Sequence, residues 1–202
     1  MLVAAAAVAI ARSDPPAQSP TPAPASTPEP GIVAELDGEV RRVAGLGEGA
    51  VDPAVQAAAG LLKQLYELSF LPEPAPGPDG VGPPRPPPEV LATDTARAPF
   101  VGSRGAFAAG EAAEVVRGRV GFHGALFGEG DAVQAFLVRV SFVGEGRVLL
   151  PQGPRPARFT QAGELLLEPT ETGWRLGGFD VALTVEREGD PSPSPQAARW
   201  MP

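Results

Sequence analysis

Four segments in the second half of the chain alternate apolar and polar residues, and short glycine-containing turns separate them. The segments are Glu114–His123, Ala132–Val143, Ala157–Glu168 and Trp174–Arg187. Alternation with a period of two is typical of β-strands that bury one face. Turns this short join antiparallel neighbours. The sequence therefore predicts a curved antiparallel meander of four or more strands.

Two segments before this meander predict helices. Apolar residues recur at helical spacing in the first of them, at Ile32, Leu36, Val40 and Val43. The second begins with Asp52 as N-cap and Pro53 at the first helical position, and Pro72 ends it. A shorter helix is expected at 89–97, and part of 99–110 could form an edge strand. The predicted fold class is α+β, with N-terminal helices packed on the meander sheet.

Proline-rich tracts divide the chain. Gly (25) and Pro (26) make up about a quarter of the 202 residues, and the prolines are clustered. Such tracts carry too little apolar surface to offset the entropy lost on ordering. We expect a disordered tether at 12–31, one α+β domain at 32–188 with a proline-rich insertion at 72–88, and a disordered tail at 189–202.

The first eleven residues contain an unbroken apolar run, Leu2–Ala11. Ten residues are too few to cross a hydrocarbon core of about 30 Å at about 1.5 Å per residue. The run has the length of a signal-peptide core, and Ala9-Ile10-Ala11 has the form of a cleavage site, but no basic residue precedes it. Residues 1–11 are an export signal, the end of a longer membrane anchor, or the Ala-rich terminus of a cytoplasmic protein. The following tether favours an exported protein of the cell envelope or exterior.

Composition excludes several classes of chemistry. The formal charge of -8 argues against binding nucleic acid through its phosphates. The chain has no Cys, so disulfides, thiolate metal sites and a cysteine nucleophile are excluded. It has one His, which gives no metal-ligand spacing, and we expect neither a metal nor a cofactor.

The hairpin from Phe159 to Val185 carries a family resemblance. Acidic Glu164 and Glu168 precede its turn, and Gly-Trp-Arg-Leu-Gly-Gly-Phe-Asp-Val follows at 173–181. With helices before the meander, this resembles the nuclear transport factor 2-like (cystatin-like α+β cone) superfamily over roughly residues 52–187. It is most similar to actinobacterial exported or membrane-tethered proteins associated with mammalian-cell-entry operons. The insertion at 72–88 departs from that pattern.

The resemblance implies a cone that can enclose a pocket, in which enzymatic members use Asp, His or Tyr as acid or base. The candidates in this chain are Asp180, His123, Tyr66 and Glu114. Each has a plainer interpretation. His123 and Glu114 would then be solvated strand ends, Asp180 a solvent-facing strand residue, and Tyr66 a core residue.

A cluster of arginines on the first two meander strands could bind an anionic ligand. Arg117 and Arg119 share a face, Arg139 is expected across from them, and Trp174 is a further candidate for ligand binding. The alternative is cross-strand pairing of these arginines with carboxylates such as Glu114 or Glu164.

Two functions follow from the sequence. The first is a non-catalytic exported or membrane-tethered accessory domain that binds an envelope protein or a hydrophobic small ligand. The alternative is a small pocket enzyme of the isomerase, cyclase or dehydratase type that uses a buried Asp or His. A cavity holding both Asp180 and His123 would favour the enzyme.

Overall fold

The fold is α+β, with two helices and a six-stranded mixed sheet, in a computed structural model that describes residues 31–43, 45–72, 86–103, 107, 113–171, 173–187 and 195–202. The helices are α1 (Val51–Phe70) and α2 (Asp94–Gly102). The strands are β1 (Gly31–Val43), β2 (Ala113–Glu129), β3 (Ala132–Leu150), β4 (Gly153–Thr170), β5 (Gly173–Arg187) and β6 (Gln196–Trp200). The segments at 1–30, 73–85 and 188–194, and with them the predicted leader, most of the tether and most of the insertion, lie outside the described residues.

The strands lie side by side in the order of the chain. Strands β2 to β6 are antiparallel neighbours, so the predicted meander is confirmed, and each of its four strands is longer than expected. Strand β1 runs parallel to β2. A parallel neighbour needs a crossover connection, and α1 and α2 lie in that connection.

The prediction of a helix over Ile32 to Val43 was wrong, because this segment is strand β1. Ile32 and Leu36 lie on the same side of the sheet, as a period of two requires. The pairing with β2 then shifts between Leu36 and Val40, where β1 has two more residues than its partner. Two added residues leave the side-chain alternation unchanged, so Val40 lies on the same face as Leu36. A spacing of four residues fits one face of a strand as well as one face of a helix, and this made the segment resemble a helix.

The chain after residue 189 was also predicted to be disordered, but Gln196–Trp200 forms β6. This strand pairs with β5 and completes the sheet. Trp200 is half-buried against the core opposite Phe179, not the isolated exposed aromatic that its surroundings in the sequence suggest. The alternating pattern that predicts a strand was weak here, because β6 has only five residues and directly follows a proline-rich tract.

Helix α2 corrects the interpretation of the segment around Pro99. The predicted short helix at 89–97 is a 3-10 turn at Pro88–Leu91 followed by α2, which Thr93 caps through its side chain. The helix continues through Pro99 to Gly102, so no edge strand begins at Pro99, and most of the remainder of 99–110 lies outside the described residues. Phe100, one residue after the proline, is fully buried, and this burial holds the last turn of the helix in place.

The core lies between the helices and one face of the sheet, here called the inner face. The predicted stripe of α1 is confirmed, since Leu62 and Leu65 are fully buried. Helix α1 begins at Val51 with no side-chain cap, so Asp52 lies in the first turn and is not the N-cap. Two groups of aromatic rings join helices to sheet. They are Tyr66, Phe70 and Phe142, and Phe100, Phe107 and Phe179.

Among the further bulges of the sheet, two change which of the candidate residues share a face. Gly177 is an extra residue of β5 relative to β4, which confirms the bulge predicted at Gly177-Gly178. Val116 is an extra residue of β2 relative to β3. Side chains alternate between the two faces with a period of two, so one added residue reverses which positions point to which face beyond the bulge.

Two glycines test the backbone geometry. A Cβ on Gly163 would lie 2.0 Å from the carbonyl oxygen of Asp180, and the φ of Gly163 is +156°. We expect Gly163→Ala to lower the free energy of unfolding by more than about 2 kcal/mol, because neighbouring backbone cannot yield. Gly60→Ala is the matched control, since that helical site has nothing within 4 Å, and should raise it by about 0.5–1 kcal/mol. Urea unfolding measures both changes, and a Gly163→Ala protein as stable as the parent would contradict this strand pairing.

Candidate functional site

The outer face of the sheet, opposite the helices, carries charged residues in two transverse rows. Row 1 crosses all six strands, and row 2 crosses the four strands β2 to β5. Row 1 consists of Asp37, His123, Arg139, Glu164, Asp180 and Arg199. Row 2 consists of Arg117, Glu145, Arg158 and Glu186. Their members come from distant parts of the chain, and only strand register brings them together.

Within row 1, neighbouring charges pair across strands. The Nδ1 atom of His123 lies 3.0 Å from Asp37. Arg139 donates to Glu164 at 2.9 Å. At the other edge of the sheet, Arg199 lies 3.3 Å from Asp180.

Row 2 and its surroundings show the same pairing. The Nε atom of Arg117 donates to Glu145 at 2.8 Å. Arg147 of β3 donates to Glu114, the residue opposite it on β2, at 2.8 Å. These side chains are substantially exposed, so each pair contributes at most about 1 kcal/mol to stability. The pairs organise the charge of this face more than they stabilise the fold.

A band without net charge separates the two rows. One line of small residues crosses β2 to β6 and consists of Gly121, Ser141, Ala162, Ala182 and Ala197. The next line consists of Arg119, Val143, Thr160 and Thr184, and Arg119 pairs with Glu35 of β1 at 2.9 Å. The outer face is therefore a low central band with charged rows on either side.

The bulge of β1 fits closely over row 1. A Cβ on Gly121 would lie 2.1 Å from an Asp37 carboxylate oxygen, and one on Gly38 would lie 2.9 Å from the Cβ of His123. The contact of Asp37 with His123 therefore requires glycine at both positions. A shallow cavity of about 120 Å³ lies beside it, lined in part by His123, Arg139 and Glu164.

On the inner face, Tyr66 and Gln161 form a buried polar pair. The hydroxyl of Tyr66 donates to Gln161 Oε1 at 2.5 Å, and each residue is only 1% exposed. Burial raises the pKa of Tyr66 far above its usual value, because the phenolate would have to lie in an apolar core. This pair joins α1 to β4 at the centre of the helix–sheet interface.

The structure separates the acid–base candidates. His123 and Asp180 belong to row 1 on the outer face, with side chains 44% and 47% exposed. Tyr66 is sealed in the core on the other side of the sheet. Glu114 pairs with Arg147 on the outer face. Tyr66 therefore cannot act on the same bound molecule as His123, Asp180 or Glu114.

The ligand-binding candidates are engaged by the protein itself. Arg117, Arg119 and Arg139 share the outer face as expected, and each pairs with a carboxylate of a neighbouring strand. Cross-strand pairing, the alternative to ligand binding, is what the structure shows: Arg139 pairs with Glu164, Arg117 with Glu145 and Arg119 with Glu35. Trp174 is half-buried, with its ring 6.3 Å from that of Phe136.

Sequence reasoning missed Asp37 and Gln161 as members of these sites. Asp37 was assigned to a helix, and its place beside His123 depends on the parallel pairing of β1, which has no local signal. Gln161 appeared as one polar residue on a strand face with Phe159 and Leu165. Its parity with those two buried residues was the available sign that it is buried.

Neither a metal-binding cluster nor a membrane-spanning helix occurs in the part of the chain that the structure describes. Over those ranges, no group of three or more His, Cys, Asp or Glu side chains is placed to hold a metal ion. Neither α1 nor α2 is both long and apolar enough to cross a lipid bilayer, and no other helix in the described part of the chain is.

Comparisons with known proteins give no relative. No family model, no curated protein and no solved structure matches this chain.

The titration of Tyr66 tests the sealed core. Because its pKa is raised on folding, the unfolded chain loses the phenolic proton first as pH rises. The tyrosine's contribution to stability is complete below about pH 10 and should decline above it by about 1.4 kcal/mol per pH unit. Tyr66 is the only Tyr, so near-ultraviolet phenolate absorbance reports it directly. Tyr66→Phe should lack this part of the alkaline decline, and a folded protein that forms phenolate at the pH of a free tyrosine would contradict the burial.

Proposed function

We propose that this protein is a non-catalytic interaction domain of the bacterial cell envelope, exported and held near the membrane by its proline-rich segment. The observation that carries the proposal is the separation of the acid–base candidates. Tyr66 is enclosed by the core, whereas His123 and Asp180 are on the solvent side of the sheet. Such a domain offers surfaces to a partner rather than an enclosed acid–base site, and this favours binding over the pocket-enzyme alternative.

The edge of the sheet at β1 is the surface best suited to an envelope protein. Among the described residues, no strand pairs with the side of β1 that faces away from β2. Val33 and Leu36 are about half exposed on this strand. A long edge strand with exposed apolar side chains can accept an extended segment of another protein through backbone hydrogen bonds. We propose strand addition at β1 as the binding mode.

The finer fold description, a nuclear transport factor 2-like cone, is likewise a proposal. It is supported by α1, which packs on β1 and β2 toward one edge of the sheet and on β5 toward the other, as a sheet wrapped around a helix would allow. Strand β1 departs from the expected pattern, since it precedes the helix and runs parallel to β2.

Export is tested by a reporter that is active only outside the cytoplasm. We expect alkaline phosphatase fused after Pro30 to be active in a bacterial host, because Leu2–Ala11 has the length and composition of a signal-peptide core. The matched control begins at Arg12 and should be inactive. Equal activity of the two fusions, or activity only of a cytoplasmic reporter at the same junction, would contradict export.

Strand addition is tested with a photo-cross-linking residue in place of Leu36, in the native host. We expect one discrete adduct with an envelope protein. Adding Val33→Lys should reduce its yield at least about fivefold, because lysine on an edge strand opposes pairing with another chain. Val101→Lys is the matched control, since Val101 is a similarly exposed valine on α2. An adduct unaffected by Val33→Lys, or reduced equally by both substitutions, would exclude β1 as the binding edge.

A further inference from the structure

The two charged rows of the outer face are self-complementary. Consider a two-fold axis parallel to the strands, in the plane of contact, between β3 and β4. It lays β3 of one copy over β4 of the other, and β2 over β5. In row 1, Arg139 then faces Glu164 of the second copy, and in row 2 Glu145 faces Arg158. Each contact occurs twice, as an isologous interface requires.

The outer strands obey the same relation. His123 of β2 comes opposite Asp180 of β5, and Arg117 of β2 opposite Glu186 of β5. At the two edges, Asp37 of β1 comes opposite Arg199 of β6. Every position of both rows thus meets a residue of opposite charge or, at His123, a carboxylate to which the imidazole can donate.

A different axis does not give this result. A two-fold axis perpendicular to the strands would lay row 1 on row 2 and keep each strand over itself. On the middle strands Arg139 would then face Glu145, and Glu164 would face Arg158, which are opposite charges. On the strands outside them, however, Arg117 would face His123, and Asp180 would face Glu186, so the match is lost there. Electrostatic complementarity sets orientation more strongly than affinity, so the pattern selects the axis along the strands.

The band between the rows suits close approach of two sheets. Ser141 of β3 would lie over Ala162 of β4, and Val143 over Thr160, so no long side chain stands between the middle strands. Packed sheets are about 10 Å apart, and their inner side chains fill that space. Arg139 is already paired with Glu164, and Arg117 with Glu145, within each chain, which lowers the cost of bringing these charges together.

We propose that the outer face binds a second copy of this chain, with β3 and β4 at the centre of a two-fold symmetric dimer. The face between the rows spans about 20 Å along the strands and about 24 Å across them. This is at the small end of specific interfaces, so we expect a dissociation constant of about 1–100 μM that rises with salt. The dimer goes beyond the proposed envelope function, which uses the β1 edge.

Charge-swapped variants of the full-length chain test the dimer by sedimentation at several concentrations. Glu145→Arg would place arginine against Arg158 of the second copy, and Arg158→Glu would place glutamate against Glu145. We expect each variant alone to be monomeric where the parent dimerises. An equimolar mixture should dimerise again, because both cross-interface contacts then join opposite charges. With the perpendicular axis the mixture would instead bring the arginine introduced by Glu145→Arg against Arg139 of the other copy, and it would remain monomeric.

Controls separate association from folding and from the envelope function. Lys63→Glu reverses a charge of an ion pair on α1 and should leave the dimer unchanged. Thermal unfolding should show that both charge-swapped variants are folded. The mixture is a second control, because two misfolded variants would not dimerise when mixed. The dimer is overturned if the parent chain stays monomeric at all concentrations or if the mixture does not associate. A parent chain whose outer face is covered by another part of the same chain would give the first of these results. The β1 cross-link would be unaffected by that outcome.

Discussion

A sheet has two faces, and in the part of the chain that the structure describes the helices cover one of them, the inner face. Helices α1 and α2 and the aromatic groups around Phe142 and Phe179 cover the inner face. This burial supplies the apolar contact that an α+β fold of this size needs. It also encloses Tyr66, whose hydroxyl is satisfied by the hydrogen bond to Gln161.

The meander and helix α1 could be predicted because their signals are local. Alternation along β3 placed Phe136 to Phe142 on the buried face, and the apolar stripe of α1 placed Leu62 and Leu65 there. The order and direction of β1 could not be predicted, because its parallel pairing with β2 joins segments that are far apart in the chain. The export and family predictions rest on sequence alone.

Bulges explain why the candidate site was harder to predict than the fold. Asp180 and Leu176 have the same parity in the sequence, yet Gly177 places them on opposite faces. Val115 and His123 likewise share parity, and the bulge at Val116 separates them. A strand pattern predicts which residues alternate, but each added residue reverses the assignment beyond it. The glycine pair was a visible sign of one bulge, whereas Val116 gave none.

The charge pattern of the outer face is produced by the register of the strands and is not visible in any single segment. None of the four middle strands has a charge pattern of its own that indicates association. The antiparallel register of β3 with β4 makes Arg139 a neighbour of Glu164 and Glu145 a neighbour of Arg158, one pair on each side of a neutral band. Charges paired in this way hold a modest net field, which suits a reversible contact better than the concentrated field of a catalytic site. The same register that pairs these arginines within one chain makes the face complementary to itself, so the internal pairing and the proposed self-association have one physical cause.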